Sequence, residues 1–123
     1  MPRYLLDTNA IIYLIGGRLA VPLPAGQYSF SVITEIELLS FPGLSAEDEQ
    51  KIGELLALLD RVELTQAVRL EAIRLRKQKR LKLPDAIIAA CALERNATVL
   101  TNDQTFLSTD GLNVQSLILT SLS

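Results

Sequence analysis

The stretch RYLLDTNAIIYLI, residues 3–15, decides the fold class of this chain. It opens with a short apolar run and continues with three polar residues, Asp7-Thr8-Asn9, of the types that cap helices. A second apolar run completes the stretch. This order predicts a strand, a tight turn and a helix, with Asp7 at the point where the strand ends.

Further strands alternate with helices along the chain. Residues 28–33 alternate along their length and are rich in aromatic and β-branched types, which predicts a second strand. Thr34 and Glu37 have the spacing of a capping box, so we expect a helix to start at Thr34. Three more candidate strands follow: residues 61–64, 97–101 and 113–119. The alternation predicts an α/β fold whose mostly parallel sheet is covered by helices on both faces.

Three more helices are predicted between the later strands. Ser45 marks the start of the first, and the second runs from Thr65 to about Arg80. Pro84 lies at the start of the third, which continues as an alanine-rich stretch over residues 86–95. The small side chains of this last helix would let it pack closely against its neighbours.

Composition excludes several kinds of chemistry. The 123 residues contain no histidine and a single cysteine, Cys91, so an intrachain disulfide, a multi-cysteine zinc site and a Ser-His-Asp triad are all impossible. No apolar run approaches the roughly 18–20 residues of a membrane span, and Asp7 comes too early for a signal-peptide core. We expect a single domain over residues 1–123, away from membranes and in the cytoplasm.

Four acidic residues occupy comparable places in this scheme. Asp7 and Asp103 each follow a predicted strand, and Glu37 lies in the first turn of a helix. The carboxyl ends of parallel strands form one edge of a sheet, where ligands usually bind, so we expect these three acids to meet there if their strands are neighbours. Asp85 joins them if its helix starts at the same edge.

Clustered carboxylates repel one another, so either some take up protons or a cation neutralises them. Oxygen ligands without histidine or cysteine favour Mg²⁺ or Mn²⁺ over zinc. Such an ion could bind phosphate oxygens and generate a hydroxide without a histidine base. Each acid also has a purely structural interpretation as a helix cap, a first-turn acid or a turn residue.

The positive charge is concentrated in one short segment. Of the 12 lysines and arginines, six lie between Arg74 and Lys82, which leaves six basic against 14 acidic residues elsewhere. A basic helix end commonly just complements the helix dipole. Because this segment runs directly up to Pro84-Asp85, we hypothesise that it contacts a phosphate backbone through Arg76, Lys79, Arg80 and Lys82.

Four motifs in order resemble those of PIN-domain nucleases, in particular the small VapC-type toxins of toxin–antitoxin pairs. They are LLDTN at residues 5–9, SVIT at 31–34 with Glu37-Leu38, LPDAIIAA at 83–90 and LTND at 100–103. The resemblance implies a three-layer α/β/α sandwich and an endoribonuclease that depends on Mg²⁺ or Mn²⁺.

The resemblance also assigns residues and partners. The four acids match the metal-binding and catalytic quartet of the family: Asp7, Glu37, Asp85 and Asp103. Flanking polar positions would orient carboxylates or waters, and here they are Thr8, Asn9, Thr101 and Asn102. Members are commonly homodimers neutralised by a small antitoxin whose tail enters the active-site groove. Many relatives have a second acid at the position of Thr105.

Two other functions remain open from the sequence. One is a non-catalytic PIN-like module that binds RNA or a protein, although such a role is expected to lose some of the acids. The other is a receiver-type or phosphatase-type domain. Against it, Asp7-Thr8-Asn9 lacks the second acid of a DxD motif, and no lysine stands in the turn after Thr101.

Overall fold

Strands and helices alternate along most of the chain, as the sequence predicts. The computed structural model describes residues 1–121. Its strands are β1 (Arg3–Leu6), β2 (Gln27–Ser31), β3 (Asp60–Val62), β4 (Thr98–Leu100) and β5 (Val114–Gln115). Its helices are α1 (Thr8–Ile15), α2 (Val32–Leu39), α3 (Ala46–Ala57), α4 (Gln66–Lys79), α5 (Leu83–Arg95) and α6 (Gln104–Leu107).

The five strands form one sheet in the order β3-β2-β1-β4-β5. All four pairings are parallel, which confirms the predicted parallel sheet. β1 lies in the centre, with Leu5 opposite Ser29 of β2 on one side and Val99 of β4 on the other. The central position of β1 therefore puts Asp7 in the middle of the carboxyl edge.

The helices cover both faces of the sheet, so the three-layer α/β/α arrangement is confirmed. Two adjacent residues of β1, Leu5 and Leu6, point to opposite faces of the sheet, because side chains alternate along a strand. Leu5 belongs to a core built with α4 and α5, whereas Leu6 belongs to one built with α1, α2 and α3. Both leucines are fully buried.

The predicted N-cap of α2, Thr34, is wrong by three residues. The strand ends at Ser31, whose hydroxyl accepts a hydrogen bond from the backbone N–H of Ile33 and caps the helix. Thr34 therefore lies inside α2, and the capping box with Glu37 does not form. Val32 and Ile33 are β-branched, which made them typical of a strand, but the earlier cap at Ser31 starts the helix before them.

The end of the chain also differs from the prediction. β5 comprises only Val114–Gln115, and the short helix α6 after Asp103 was not predicted. The segment beyond β5 is extended but pairs with the loop after α1, where Leu19 and Leu119 form an antiparallel bridge. Within residues 1–121 we find no helix with the length and apolar character that crossing a membrane requires.

Candidate active site

The four acids reach the carboxyl edge of the sheet on four different elements. Asp7 follows β1 and caps α1, and Asp103 follows β4 and caps α6. Glu37 lies on α2, and Asp85 lies in the first turn of α5. The acids are close enough to act on one another, because Asp103 influences Asp7 and Asp85 alike, and Glu37 influences Asp85.

Asp7 is the buried member, with 4% of its surface exposed. Its Oδ1 accepts a hydrogen bond from the backbone N–H of Ala10 at 2.7 Å, and its Oδ2 accepts one from the hydroxyl of Thr101. Burial raises the pKa of Asp7 above the ordinary value, and Asp103 and Asp85 raise it further. The two hydrogen bonds oppose this shift and fix the carboxylate in one orientation.

Asp85 is half-buried, and the pKa of its carboxyl is raised as well. Burial is the main cause that raises the pKa of its carboxyl, followed by the negative charges of Asp103 and Glu37. Lys82, at the start of the same helix, lowers that pKa in part. The site therefore holds more negative charge than its own surroundings neutralise, which is the electrostatic condition for binding a cation.

A chain of hydroxyl groups positions Glu37. The hydroxyl of Thr8 donates to Glu37 Oε1 at 2.7 Å, and it lies 3.1 Å from the hydroxyl of Thr34. Because the single hydroxyl hydrogen of Thr8 goes to the carboxylate, Thr34 is the donor in the second contact. Thr34 is fully buried. Sequence reasoning missed this role because it depends on the approach of α1 to α2.

Thr101 connects two of the acids. Its hydroxyl donates to Asp7, and the same oxygen accepts a hydrogen bond from the backbone N–H of Asp103 at 3.0 Å. Asp103 in turn accepts one from the backbone N–H of Thr105 at 2.8 Å. This bond helps to orient Asp103.

The two asparagines behave differently from these threonines. Both amide atoms of Asn102 bind the backbone of Leu117, with Nδ2 donating to its carbonyl at 3.1 Å and Oδ1 accepting from its N–H at 2.7 Å. Asn102 therefore anchors the segment that follows β5, and within residues 1–121 it makes no hydrogen bond to a carboxylate. Asn9 is exposed in the first turn of α1.

The donor set fits a hard cation held partly through water. Among residues 1–121, no three acidic side chains are close enough together to ligate one ion directly. The acids still influence one another's pKa, and every nearby donor is an oxygen atom. Mg²⁺ usually takes one or two carboxylates and keeps several waters, and oxygen donors suit Mg²⁺ or Mn²⁺ better than zinc.

A largely apolar groove of about 700 Å³ opens beside the acids. Thr8 and Glu37 lie in its lining, and its walls include Ile12, Leu38, Phe41, Leu44 and Ile52. Phe41 is 67% exposed. The sequence did not reveal this groove, because it forms only where α1, α2 and α3 come together.

The predicted basic contacts lie at the carboxyl end of α4 and in the turn that leads to α5. Arg76, Lys79, Arg80 and Lys82 are all exposed. None of them takes part in the ion pairs found within residues 1–121. This positive surface runs up to the start of α5, the helix that carries Asp85.

Comparison with known proteins identifies the family. The PIN domain family profile matches residues 4–112. A toxin–antitoxin complex from Klebsiella pneumoniae superposes with a TM-score of 0.77 at 29% identity, covering 89% of this chain and 94% of that one. VapBC-1 from nontypeable Haemophilus influenzae gives 0.70 at 30% identity, covering 93% and 97%.

A third similar structure is VapBC2 from Rickettsia felis, bound to a DNA fragment from its promoter. It superposes with a TM-score of 0.74 at 24% identity and covers 94% of this chain and 98% of that one, which shows likeness of fold alone. No curated protein matches the sequence.

An α/β/α sandwich with acids gathered at the carboxyl edge of a parallel sheet is the architecture of a PIN domain. The chain belongs to the PIN domain family, and its likeness is to the VapC-like toxins within it.

Proposed function

We propose that the chain is a metal-dependent endoribonuclease of the VapC type, acting as a single PIN-like domain on RNA in the cytoplasm. The observation that carries this proposal is the placement of four carboxylates at one sheet edge, where Asp103 and Asp85 act on Asp7 and Glu37 acts on Asp85. Asp7 is buried there and held by two hydrogen bonds. Keeping a charged carboxylate in such a place opposes folding, so a structural role alone does not account for it.

The four acids would hold Mg²⁺ or Mn²⁺ directly or through water, with Asp7, Asp85 and Asp103 nearest to it. Bound there, the ion would polarise the phosphodiester and favour a hydroxide nucleophile near neutral pH. Thr101 keeps Asp7 and Asp103 in fixed relative positions. Glu37, held by Thr8, is the group that would orient the attacking water.

The groove beside the acids supports a protein partner. Its apolar walls and the exposed Phe41 fit an apolar segment of a small antitoxin. A segment seated there would reach Thr8 and Glu37 and so block the site. A separate pair of exposed apolar side chains on α4, Leu70 and Ile73, supports contact with a second copy in a homodimer.

Cleavage assays test this proposal. Purified protein, freed of antitoxin, is incubated with a mixed RNA pool in Mg²⁺, in Mn²⁺ and in EDTA. We expect cleavage with either ion and none in EDTA. The Asp7→Asn variant should lose activity, because asparagine keeps the helix cap but removes the charge.

Asp110→Asn is the matched control, since it makes the same chemical change at an exposed acid. We expect it to cleave as the unaltered protein does. Full activity in a folded Asp7→Asn protein would contradict the assignment. RNA binding without cleavage under every ion would favour the non-catalytic module instead.

A further inference from the structure

The turn between α4 and α5, residues 80–82, carries positive charge where the backbone favours other residue types. Arg80 follows the last residue of α4 with φ 56° and ψ 33°, in the left-handed region. Glycine is the usual residue there, because it has no Cβ to clash. The backbone conformation therefore gives no reason for an arginine at this position.

Lys82 is also an unusual residue for its position. It is the N-cap residue of α5, and no side-chain hydrogen bond caps the helix. Serine, threonine, aspartate and asparagine are preferred at this position because they accept such a bond, and a lysine side chain has no acceptor. Its positive charge also faces the positive end of the helix dipole.

Leu81 holds the turn in place between these two cations. It is 6% exposed and belongs to the core formed with α4 and α5. The carbonyl of Lys82 accepts a hydrogen bond from the N–H of Ala86 at 2.8 Å, which joins the turn to α5. The turn is thus a fixed platform with both cations exposed, directly before Asp85.

The helix dipole explains only part of the positive surface. Arg76, Lys77 and Lys79 lie in the last turn of α4, where positive charge is favourable. Arg80 and Lys82 have no such explanation. Residues that depart from local structural preferences are often functional, and Lys82 lies close enough to Asp85 to act on its carboxylate.

Binding of a polyanionic substrate would explain the cations at Arg80 and Lys82. A phosphate backbone that approaches four carboxylates is repelled, so cations beside the acids are needed to hold it. We propose that Arg80 and Lys82, together with the last turn of α4, bind the phosphates of single-stranded RNA on one side of the scissile bond. The inference rests on the proposed nuclease function and deepens it.

Two substitutions test the inference, each of which introduces the residue that the backbone favours: Arg80→Gly and Lys82→Ser. Both are made in the Asp7→Asn background, so that RNA stays intact during binding. Binding of a short fluorescent oligouridine is measured by anisotropy over a range of salt concentrations in Mg²⁺. Lys51→Ala is the control, because it removes an exposed cation on α3.

We expect each substitution to weaken RNA binding about fivefold at 0.1 M salt and to lower the slope of log K against log salt by about 0.7. The midpoint of thermal unfolding should stay the same or rise, since the local structure is relieved. Lys51→Ala should leave the slope unchanged. A purely structural role for the turn would give the opposite pattern, with lower thermal stability and unaltered binding, and would overturn the inference.

An equal loss of binding in Lys51→Ala would also overturn it, because net charge alone would then explain the effect. The nuclease proposal fails separately. If the protein with Asp7 intact cleaves no RNA while the two variants lose RNA binding, the turn is a phosphate site on a non-catalytic module. If that protein cleaves RNA and the variants bind normally, the turn has no part in the reaction.

Discussion

At the scale of single residues, the proposed role of Asp7 as a metal ligand conflicts with the stability of the metal-free fold. Its burial and its acidic neighbours raise its folded-state pKa above the ordinary value of 3.8. A raised pKa means that folding favours the protonated form. The stabilising contribution of this proton is therefore complete below about pH 4 and is lost as the pH rises through the folded-state pKa.

This sign predicts that Asp7→Asn stabilises the metal-free protein at neutral pH. Asparagine keeps the bond from the Ala10 N–H and loses the one that Asp7 accepts from Thr101, and we expect removal of the buried charge to outweigh that loss. We expect a higher midpoint of thermal unfolding for the variant in EDTA at pH 7, with the difference shrinking towards pH 4. Unfolding curves over that pH range measure it. A variant less stable than the unaltered protein at pH 7 would contradict the prediction.

Single residues also show why the acids could be predicted from sequence, whereas the hydrogen bonds that hold them could not. Asp7 and Asp103 are revealed by local sequence, since each follows a short apolar run and has a capping residue type. The bond from Thr34 to Thr8, which fixes Glu37, joins residues 26 positions apart. No local pattern encodes that contact, because it exists only after α1 and α2 have packed.

At the scale of elements, α5 is the helix on which the site most depends. Residues 86–92 are buried without interruption, so the helix has no exposed face over nearly two turns. Alanine dominates this stretch, and its small side chains let α5 pack between the sheet and α4. The helix can therefore hold Asp85 at the carboxyl edge with little freedom to shift.

Enlarging one of these alanines should disturb both the core and the site. Ala89 is fully buried, so Ala89→Leu forces extra volume into packed surroundings. We expect a loss of about 1–3 kcal/mol in the free energy of unfolding, measured by urea denaturation. Lys77→Leu, at an exposed position of α4, should change it by less than about 0.5 kcal/mol. Equal effects of both substitutions would show that the helix is loosely packed.

The presence of each helix and strand was easier to predict than its first and last residues. α3 and α4 are capped by Ser45 and Thr65, as the sequence indicates. The start of α2 was misplaced because Ser31 and Thr34 are both good capping residues. In the structure the Ser31 hydroxyl caps the helix, whereas the Thr34 hydroxyl contacts that of Thr8. The brevity of β5 was hidden for a similar reason: the extended segment after it pairs with the loop after α1 instead of the sheet.

At the scale of the whole molecule, the sheet order turns four distant positions into one charged site. β1 lies between β2 and β4, so the acids after β1 and β4 are neighbours although 96 positions separate Asp7 from Asp103. Their repulsion is built into the topology, because each acid is fixed by its own strand or helix. The backbone of the metal-free fold therefore keeps the acids near one another.

A bound cation should therefore stabilise the folded protein as a whole. At a free Mg²⁺ or Mn²⁺ concentration about 100 times its dissociation constant, the expected gain is about 2.7 kcal/mol. For a domain of this size that corresponds to a rise on the order of 10 °C in the unfolding midpoint. Asp7→Asn should show little of this rise, whereas Asp110→Asn should show all of it.

Asp7→Asn should change the unfolding midpoint in opposite directions without and with metal, so the two measurements together test whether Asp7 binds the ion. In EDTA the variant should unfold at a higher temperature than the unaltered protein, and at saturating metal it should unfold at a lower one. Only a buried charge that a cation compensates produces this crossing. A variant more stable in both buffers would show that Asp7 is strained for a reason other than metal binding. Equal metal-induced rises in the two proteins would place the ion elsewhere.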